Sequence, residues 1–330
     1  MKKILIISLS ALLLLTPLTA CKGTAETPEE PGSTVTEETT ETPPLRDPAP
    51  ASDFEYTVGE AGDIFLTKYI GAATDVVIPD TIDGKAITGF DRFCFGFGTN
   101  PAITSVYIPD TVTSILGGSF HLCKNLTHVR LSPQTEVIGN GAFEGSGITS
   151  ISLPSSLREV GMRAFYDCKN LKQVTIPSSA LFEAEAFACS GVETVVFEEG
   201  IETIGFSMFA STNIREVILP QSTKNVGVSA FSGCPNLETV VLNQGLTEID
   251  SYAFGGDSKL TEIIIPSSVV KMQDSVFMKS DTVKKVIFEG DAPEDFVSGL
   301  QDMPDFTVYY HEGSKGFTSP EWCGYASEIW

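Results

Sequence analysis

Basic side chains are in short supply in this chain. It has 21 lysines and arginines against 43 aspartates and glutamates, and its formal net charge is −22. A surface of that sign repels phosphate backbones and anionic lipid headgroups. The composition therefore argues against a nucleic-acid partner, and any attachment to a membrane has to come from a lipid.

Histidine is scarcer still, with three residues in the chain. His121, His128 and His311 do not stand at metal-ligand spacings from cysteine or carboxylate side chains. No glycine-rich phosphate loop precedes a helix, and the adjacent Glu198 and Glu199 are interpreted as a solvated strand exit rather than an acid–base pair. The sequence therefore predicts no enzyme, no metal site and no cofactor.

Long apolar runs are confined to the start of the chain. Two lysines precede an apolar segment at 4–15, which is too short to favour a membrane span, and Leu-Thr-Ala-Cys follows at 18–21. This ending resembles the bacterial lipobox, in which the cysteine becomes the acylated first residue of the mature protein. We predict a lipoprotein signal peptide at 1–20 and lipidation of Cys21. The alternative is a chance cysteine after an ordinary signal peptide.

Large apolar side chains are almost absent from 21–52, which is rich in Thr, Glu, Pro and Ala. Such a segment cannot bury enough surface to fold, so we predict a disordered tether between the lipid anchor and a folded domain. As a flexible coil it would span about 30 Å on average. Fully stretched, it would reach about 100 Å.

What the sequence has in abundance is repetition. A phrase of the form Leu-x-x-Val-x-Leu-Pro recurs every 22 to 23 residues together with Gly-x-x-Ala-Phe, as at 161–165 and 171–177. A period of this length corresponds to one coil, and a coil that cannot bury its apolar face alone must stack on its neighbours. We therefore predict a solenoid whose function lies on a repeated surface.

Apolar residues occupy the first, fourth and sixth positions of each phrase. The fourth and sixth share one face of a strand, whereas the fifth points the other way. Because every coil runs in the same direction, the sheet should be parallel. Strands are predicted at 106–108, 129–131, 151–153, 174–176, 195–197, 217–219, 240–242, 263–265 and 286–288.

Two further positions of the repeat carry structural expectations. The recurring phenylalanines should stack as an internal spine; they are Phe120, Phe143, Phe165, Phe187, Phe209, Phe231, Phe254 and Phe277. Asn or Gly precedes the first apolar position in six consecutive repeats, which predicts a positive φ there. The asparagines concerned are Asn125, Asn170, Asn213 and Asn236. The alternative is that both residue types merely favour loops.

Six cysteines lie beyond Cys21, and secretion would normally favour disulfides among them. However, Cys123, Cys168 and Cys234 each follow a repeat phenylalanine by three residues, at a position filled elsewhere by small side chains. Cysteines two coils apart would be about 10 Å from each other, too far to bond. We predict free thiols, and a bridge between Cys168 and Cys189 is the alternative.

These repeats resemble the BspA-like, or Treponema-type, leucine-rich-repeat surface proteins of bacteria. The segments 126–131, 138–143 and 237–242 follow that repeat almost position for position, within a match at about 73–290. The resemblance implies an α/β-type repeat solenoid, mostly β, wound as a right-handed leucine-rich-repeat coil with a parallel sheet on one face. It also implies surface attachment and a binding or adherence role, and it brings no catalytic motif.

Both ends of the domain depart from the repeat. Strands at 54–58 and 64–70 predict a hairpin, and 75–79 predicts a tenth strand. Since exposed solenoid ends need covers, we predict three parts: an N-terminal cap with a first irregular repeat at 53–102, leucine-rich repeats at 103–290, and an irregular C-terminal cap at 291–330. A binding role for the Trp322 loop is an alternative to capping.

The fifth phrase position supplies the candidate binding face. It reads Tyr107, Arg130, Ser152, Thr175, Val196, Ile218, Val241, Ile264 and Ile287, so that a polar first half precedes a β-branched ladder. Exposed apolar patches rimmed by polar residues often mark protein contacts. The alternative is that β-branched residues simply suit strands.

We predict a non-catalytic, cell-surface protein that binds an extracellular or envelope protein or glycan. The candidate contact residues are Tyr107, Arg130, Val196, Ile218, Val241, Ile264 and Ile287. The alternative is an envelope scaffold whose partner belongs to the same cell.

The lipobox interpretation is testable by replacing its cysteine. Cys21→Ala should release the protein from membranes, because nothing else in the predicted mature chain is apolar enough to hold it there. Fractionation of cells into membrane and soluble parts measures this. A variant that still sediments with the membranes would contradict lipidation.

Overall fold

The computed structural model describes residues 47–96, 102–256, 259–273, 275–294, 296 and 305–330. The predicted signal peptide, Cys21 and most of the tether lie outside the described residues. The described part is a β-solenoid of about 11 turns with almost no helix, which confirms the predicted solenoid with parallel sheets. In this part no helix has the length and apolar character needed to cross a membrane.

Each coil contributes one strand to what we call the front of the solenoid. The front strands run parallel and in register with their paired neighbours, because the inward fourth and sixth phrase positions pack on equivalent residues of the next coil. They are β3 Asp75–Val77, β6 Ser105–Tyr107, β8 His128–Arg130, β11 Gln173–Ile176, β13 Thr194–Phe197, β15 Glu216–Ile218, β17 Thr239–Val241, β19 Glu262–Ile265, β21 Lys285–Phe288, β22 Thr307–Tyr310 and β24 Tyr325–Ile329.

A second set of parallel strands runs along the back of the coils. Apart from the first, each is two residues long and too short to show an alternating pattern, which explains why the repeat phrase did not predict it. The back strands are β5 Lys85–Phe90, β7 Ser114–Ile115, β9 Val137–Ile138, β10 Glu159–Val160, β12 Leu181–Phe182, β14 Thr203–Ile204, β16 Asn225–Val226, β18 Glu248–Ile249 and β20 Lys271–Met272.

One predicted front strand does not form. Residues 151–153 keep their place in the coil, with Ile151 buried, but they belong to no strand. Both outward positions here are serines, Ser150 and Ser152, which provide little of the cross-strand side-chain packing that stabilises a sheet. The front sheet is consequently interrupted between β8 and β11.

The phenylalanine spine is confirmed. Successive rings stack with centroids 5.0 to 6.4 Å apart and interplanar angles of 20° or less. The stack begins one coil earlier than the regular repeat, at Phe95, while Phe93 is exposed beside it. Its members are Phe95, Phe120, Phe143, Phe165, Phe187, Phe209, Phe231, Phe254 and Phe277, all fully buried.

Three residues after the rings of Phe120, Phe165, Phe231 and Phe277 stands a buried hydrogen-bond donor. Thiol or hydroxyl groups there donate to the carbonyl oxygen of the phenylalanine one coil earlier: Cys123 to Phe95 at 3.2 Å, Cys168 to Phe143 at 3.1 Å, Cys234 to Phe209 at 3.3 Å and Ser280 to Phe254 at 2.9 Å. Burial raises the pKa of the Cys123 and Cys168 thiols to about 12. The six cysteines of the described residues are free thiols.

The prediction of positive φ at the four asparagines is wrong. Left-handed residues stand instead two positions before and two positions after the spine ring, as at Arg163 and Asp167, both with φ of 57°. Glu185 and Cys189 occupy the same positions one coil later, both at 59°. These residues turn the chain on either side of the buried ring.

Glycine before the first apolar position has a packing reason rather than a conformational one. A Cβ on Gly147 would lie 2.1 Å from the carbonyl oxygen of Lys124, and one on Gly191 would lie 2.0 Å from that of Lys169. In both cases the preceding coil has one more residue between its phenylalanine and its leucine. A short coil stacked on a long one therefore requires glycine, because the carbonyl of the extra residue occupies the space of a side chain.

The N-terminal cap is the predicted hairpin of β1 Phe54–Val58 and β2 Ile64–Tyr69. Strand β2 pairs with β5, so the hairpin extends the back sheet over the end of the coil. A short strand, β4 Thr81–Ile82, forms a second hairpin with β5. The Ala49 amide donates to the carbonyl of Val77 at 2.8 Å, so chain that we assigned to the tether already covers the edge of β3.

The C-terminal cap departs from the repeat in sequence more than in structure. Strands β22 and β24 continue the front sheet in parallel, and β23 Glu321–Trp322 folds back on β24. Trp322 is buried, stacks on Phe296 at 4.8 Å and donates its indole N–H to Gly316 O at 2.9 Å. Its loop thus serves as a cover, which argues against Trp322 as a binding residue.

Truncation of the spine should be costly. We expect Phe187→Ala to lower the free energy of unfolding by roughly 3 to 5 kcal/mol, because it leaves a cavity between two stacked rings. Trp330→Ala removes a largely exposed ring and should cost much less. Urea unfolding curves measure both effects, and equal stability of wild type and Phe187→Ala would show that the stacked rings do not stabilise the fold.

The glycine rule has its own test. Gly147→Ala should destabilise the protein by about 1 to 3 kcal/mol, because the new methyl group overlaps a backbone carbonyl of the preceding coil. Gly205→Ala is the matched control, since its Cβ would meet no atom closer than Phe182 O at 3.5 Å. If urea unfolding shows equal losses for the two variants, close coil contact is not what selects glycine.

Candidate functional site

The front face, meaning the outward side of the front strands, carries the fifth-position residues. Alternation along each strand sends neighbours to opposite sides: Val217 and Leu219 are buried, whereas Ile218 between them is 56% exposed. The same alternation holds on β11 and β19, where Thr175 and Ile264 are exposed between buried neighbours. The inward positions therefore hold the core, and most outward positions are free for other use.

Four consecutive β-branched side chains form an exposed apolar column on this face. Val196, Ile218, Val241 and Ile264 are 47%, 56%, 47% and 45% exposed. They occupy equivalent positions in neighbouring coils, and Ile218 lies directly opposite Val241 in the β15–β17 pair. Coil stacking therefore converts residues about 22 positions apart in sequence into one continuous surface.

Ile287 does not belong to this apolar column, and the expectation that it is exposed there is wrong. It is 2% exposed and lies between Ile264 on β19 and Tyr309 on β22. On its own strand, Lys285 extends toward Tyr309 and Trp330, with its ammonium 5.3 and 5.1 Å from the two ring centroids. The C-terminal cap thus covers the last member of the ladder.

The N-terminal half of the front face is polar and engaged with itself. The Arg130 guanidinium lies over the Tyr107 ring at 4.5 Å, donates to Ile108 O at 2.9 Å and pairs with Asp110. These contacts hold Arg130 against the preceding coil, which contains Tyr107, so both predicted binding residues are engaged with each other. Ser152 and Thr175 follow as small, exposed side chains before the apolar column begins.

Two shallow depressions lie along the apolar column. The first, of about 610 Å³, lies between β13 and β15 and is lined by Val196 and Ile218. The second, of about 500 Å³, lies between β17 and β19 and is lined by Val241 and Ile264. Each lies where the front sheet is divided, because β13 and β15 belong to different sheets, and so do β17 and β19.

Acidic side chains surround the depressions, and several of them are paired with cations of neighbouring coils. Glu193 accepts from Lys172 at 2.8 Å, and this hydrogen bond lowers the pKa of its carboxyl group. Lys259 stands 3.3 Å from Glu238, and Lys285 stands 3.7 Å from Glu262. Exposed pairs of this kind contribute little stability, so they mainly shape the charge around the apolar column.

The residues weighed for catalysis do not converge. Glu198 accepts a hydrogen bond from the backbone N–H of Ser178 at 3.0 Å, and Glu199 accepts one from that of Gln221 at 3.1 Å. The two carboxylates therefore contact different coils, one before and one after their own. His128 contacts the hydroxyl of Thr127 at 2.8 Å. Within the described ranges no three His, Cys, Asp or Glu side chains gather as a metal site would require.

The repeats match a known family. A family model described as a BspA type leucine rich repeat region matches residues 90–184 and 180–294 in six copies. These ranges amount to more than half of the 330 residues. The chain belongs to this BspA-type family. The resemblance that the repeats carry is thereby confirmed.

Solved structures of bacterial leucine-rich-repeat proteins are similar to this BspA-type protein. A leucine-rich repeat protein from Bacteroides ovatus is 24% identical over 79% of this chain and 70% of that chain, with a TM-score of 0.65. The T. pallidum leucine rich repeat protein is 24% identical over 63% of this chain and 88% of its own, with a TM-score of 0.48. The first of these shows the shared fold. A search of curated proteins found no match.

Membership of the BspA-type family suggests a binding or surface role, and its members are typically not enzymes. The sequence predicted the four residues of the apolar column, but it did not predict two of the acidic residues beside it, Glu193 and Glu238. Both are the second residue of the repeat phrase. Reading that position down the repeats would have found them.

Proposed function

We propose that this protein is a lipid-anchored binding protein of the bacterial cell surface, whose front face contacts a protein or glycan partner. The observation that carries the proposal is the apolar column at Val196, Ile218, Val241 and Ile264, four half-exposed β-branched side chains in adjacent coils. The column exposes apolar side chains to water on a chain with a net charge of −22, and this exposed surface adds nothing to the packing of the core.

A partner that covers the apolar column would recover that area. Each β-branched side chain contributes roughly 1 to 2 kcal/mol when its exposed part leaves water. The four lie near the middle of the front face, with polar and charged side chains around them. A central apolar patch inside a polar rim is the arrangement in which a few residues dominate binding energy.

The location rests on the first residues of the chain. Cys21 after Leu-Thr-Ala supports a lipid anchor, and the acidic domain would not otherwise remain at an anionic membrane. The tether places the solenoid up to about 100 Å from the lipid. In this arrangement the solenoid acts outside the cytoplasmic membrane.

The second candidate is an envelope scaffold whose partner comes from the same cell. The tether favours it wherever the wall is thicker than the reach of the segment 21–52, because the front face would then meet only envelope components. Pull-down with the chain, from host matrix and from the cell's own envelope fraction, separates the two candidates by the source of the captured partner.

Two lysines placed in the apolar column should strongly weaken binding. Ile218→Lys with Ile264→Lys should leave the fold intact, because both side chains are about half exposed. The affinity for a partner identified by pull-down should fall by more than about tenfold. Circular dichroism melts and binding isotherms on the same preparations measure the two effects.

A matched control uses exposed apolar residues at the back of the coils, one on β12 and one just before β20. Leu181→Lys with Val270→Lys introduces the same charges at side chains that are at least as exposed, and it should leave affinity unchanged. Unchanged affinity in a well-folded Ile218→Lys with Ile264→Lys variant would rule out the front face as the site.

A further inference from the structure

The two depressions of the front face are copies of one another, displaced by two coils. In each, two members of the apolar column form the floor and one glutamate stands beside them on the same outward side of the strand: Val196, Ile218 and Glu216 in the first, Val241, Ile264 and Glu262 in the second. The division of the front sheet repeats in the same way, between β13 and β15 and again between β17 and β19.

The lining of both depressions is acidic. Among the described residues, three glutamates line each depression, and Arg215 is the one basic side chain that lines either. Lys172 and Lys259 pair with Glu193 and Glu238 from the side, and Lys285 stands 3.7 Å from Glu262. Glu216 and Glu262 nevertheless keep exposed side chains beside the apolar column. With a net charge of −22 for the chain, the face attracts a cationic ligand and repels an anionic one.

The spacing of the depressions restricts the shape of that ligand. Front strands in adjacent coils are about 4.8 Å apart, so equivalent points two coils apart are separated by about 10 Å. A β-strand returns its side chains to one side about every 7 Å. A polyproline II helix does so every three residues, about 9.3 Å. The period of the polyproline II helix therefore matches the distance between the two depressions, whereas the period of the β-strand does not.

We propose that the front face binds a basic polypeptide segment in the polyproline II conformation, with an apolar and a cationic side chain in each three-residue turn. The segment lies along the solenoid axis, across the front strands. Its apolar side chains enter the two depressions, and its lysines or arginines pair with Glu216 and Glu262. This assignment rests on the proposed function and names the chemistry of the partner.

The test uses synthetic peptides and the full chain. A peptide of Lys-Pro-Val repeated five times places both side-chain types at the required period. One control has the same composition with the lysines and valines shuffled out of that period, and another replaces lysine with glutamate. We expect the periodic peptide to bind about tenfold more tightly than the shuffled one, with an affinity that falls as salt is raised.

Charge neutralisation on the protein completes the test. Glu216→Gln with Glu262→Gln should weaken binding of the periodic peptide by about five- to tenfold. Glu159→Gln with Glu202→Gln, which removes two exposed carboxylates at the back, should leave it unchanged. Equal affinity for periodic and shuffled peptides, no binding of either, or no effect of the first variant would overturn the proposal.

The outcomes also separate this inference from the proposed function. If Ile218→Lys with Ile264→Lys abolishes capture of the natural partner while the periodic peptide does not bind, the front face is the site and its ligand is of another kind. If the same variant captures its partner as well as wild type does, the proposed function itself fails.

Discussion

The structure depends on the inability of a single coil to bury its own apolar side. A lone phenylalanine at the back of a coil would face water, whereas stacked at 5.0 to 6.4 Å between two others it is fully buried. Ring stacking and strand pairing together hold neighbouring coils close, and other contacts follow from this proximity. Thiols and hydroxyls reach the preceding phenylalanine carbonyl, and glycine is required where a short coil meets the extra carbonyl of a long one.

Because stacking uses only the inward side of each strand, it leaves the outward side open to variation. The front face accordingly changes character along its length while the core stays constant. Tyr107 and Arg130 are held in contacts between two adjacent coils, whereas Val196, Ile218, Val241 and Ile264 present an apolar surface to solvent. A solenoid thus separates the residues that maintain the fold from those that are free to bind, and the proposed function uses the second group.

Much of the candidate site could be predicted from the sequence because it repeats with the strand period. The apolar column followed from one phrase position, and the capping hairpin from two strands around a glycine turn. The exceptions involve contacts across the repeat. Ile287 has the same local sequence signal as Ile264, yet Tyr309 and the Lys285 contact with Trp330 cover it. Ser150 and Ser152 remove a strand that the apolar pattern around them predicts.

The sequence by itself determined the coil length, the parallel direction of the front strands, the phenylalanine spine and the side of each strand that faces outward, since all of these depend on which residue types recur at which interval. Tertiary structure alone decided where the front sheet divides, leaving two depressions, and where the exposed ladder ends. Both features depend on how particular coils and the C-terminal cap pack together, and the physical reason is that these contacts, such as Tyr309 beside Ile287, are not fixed by the repeat interval.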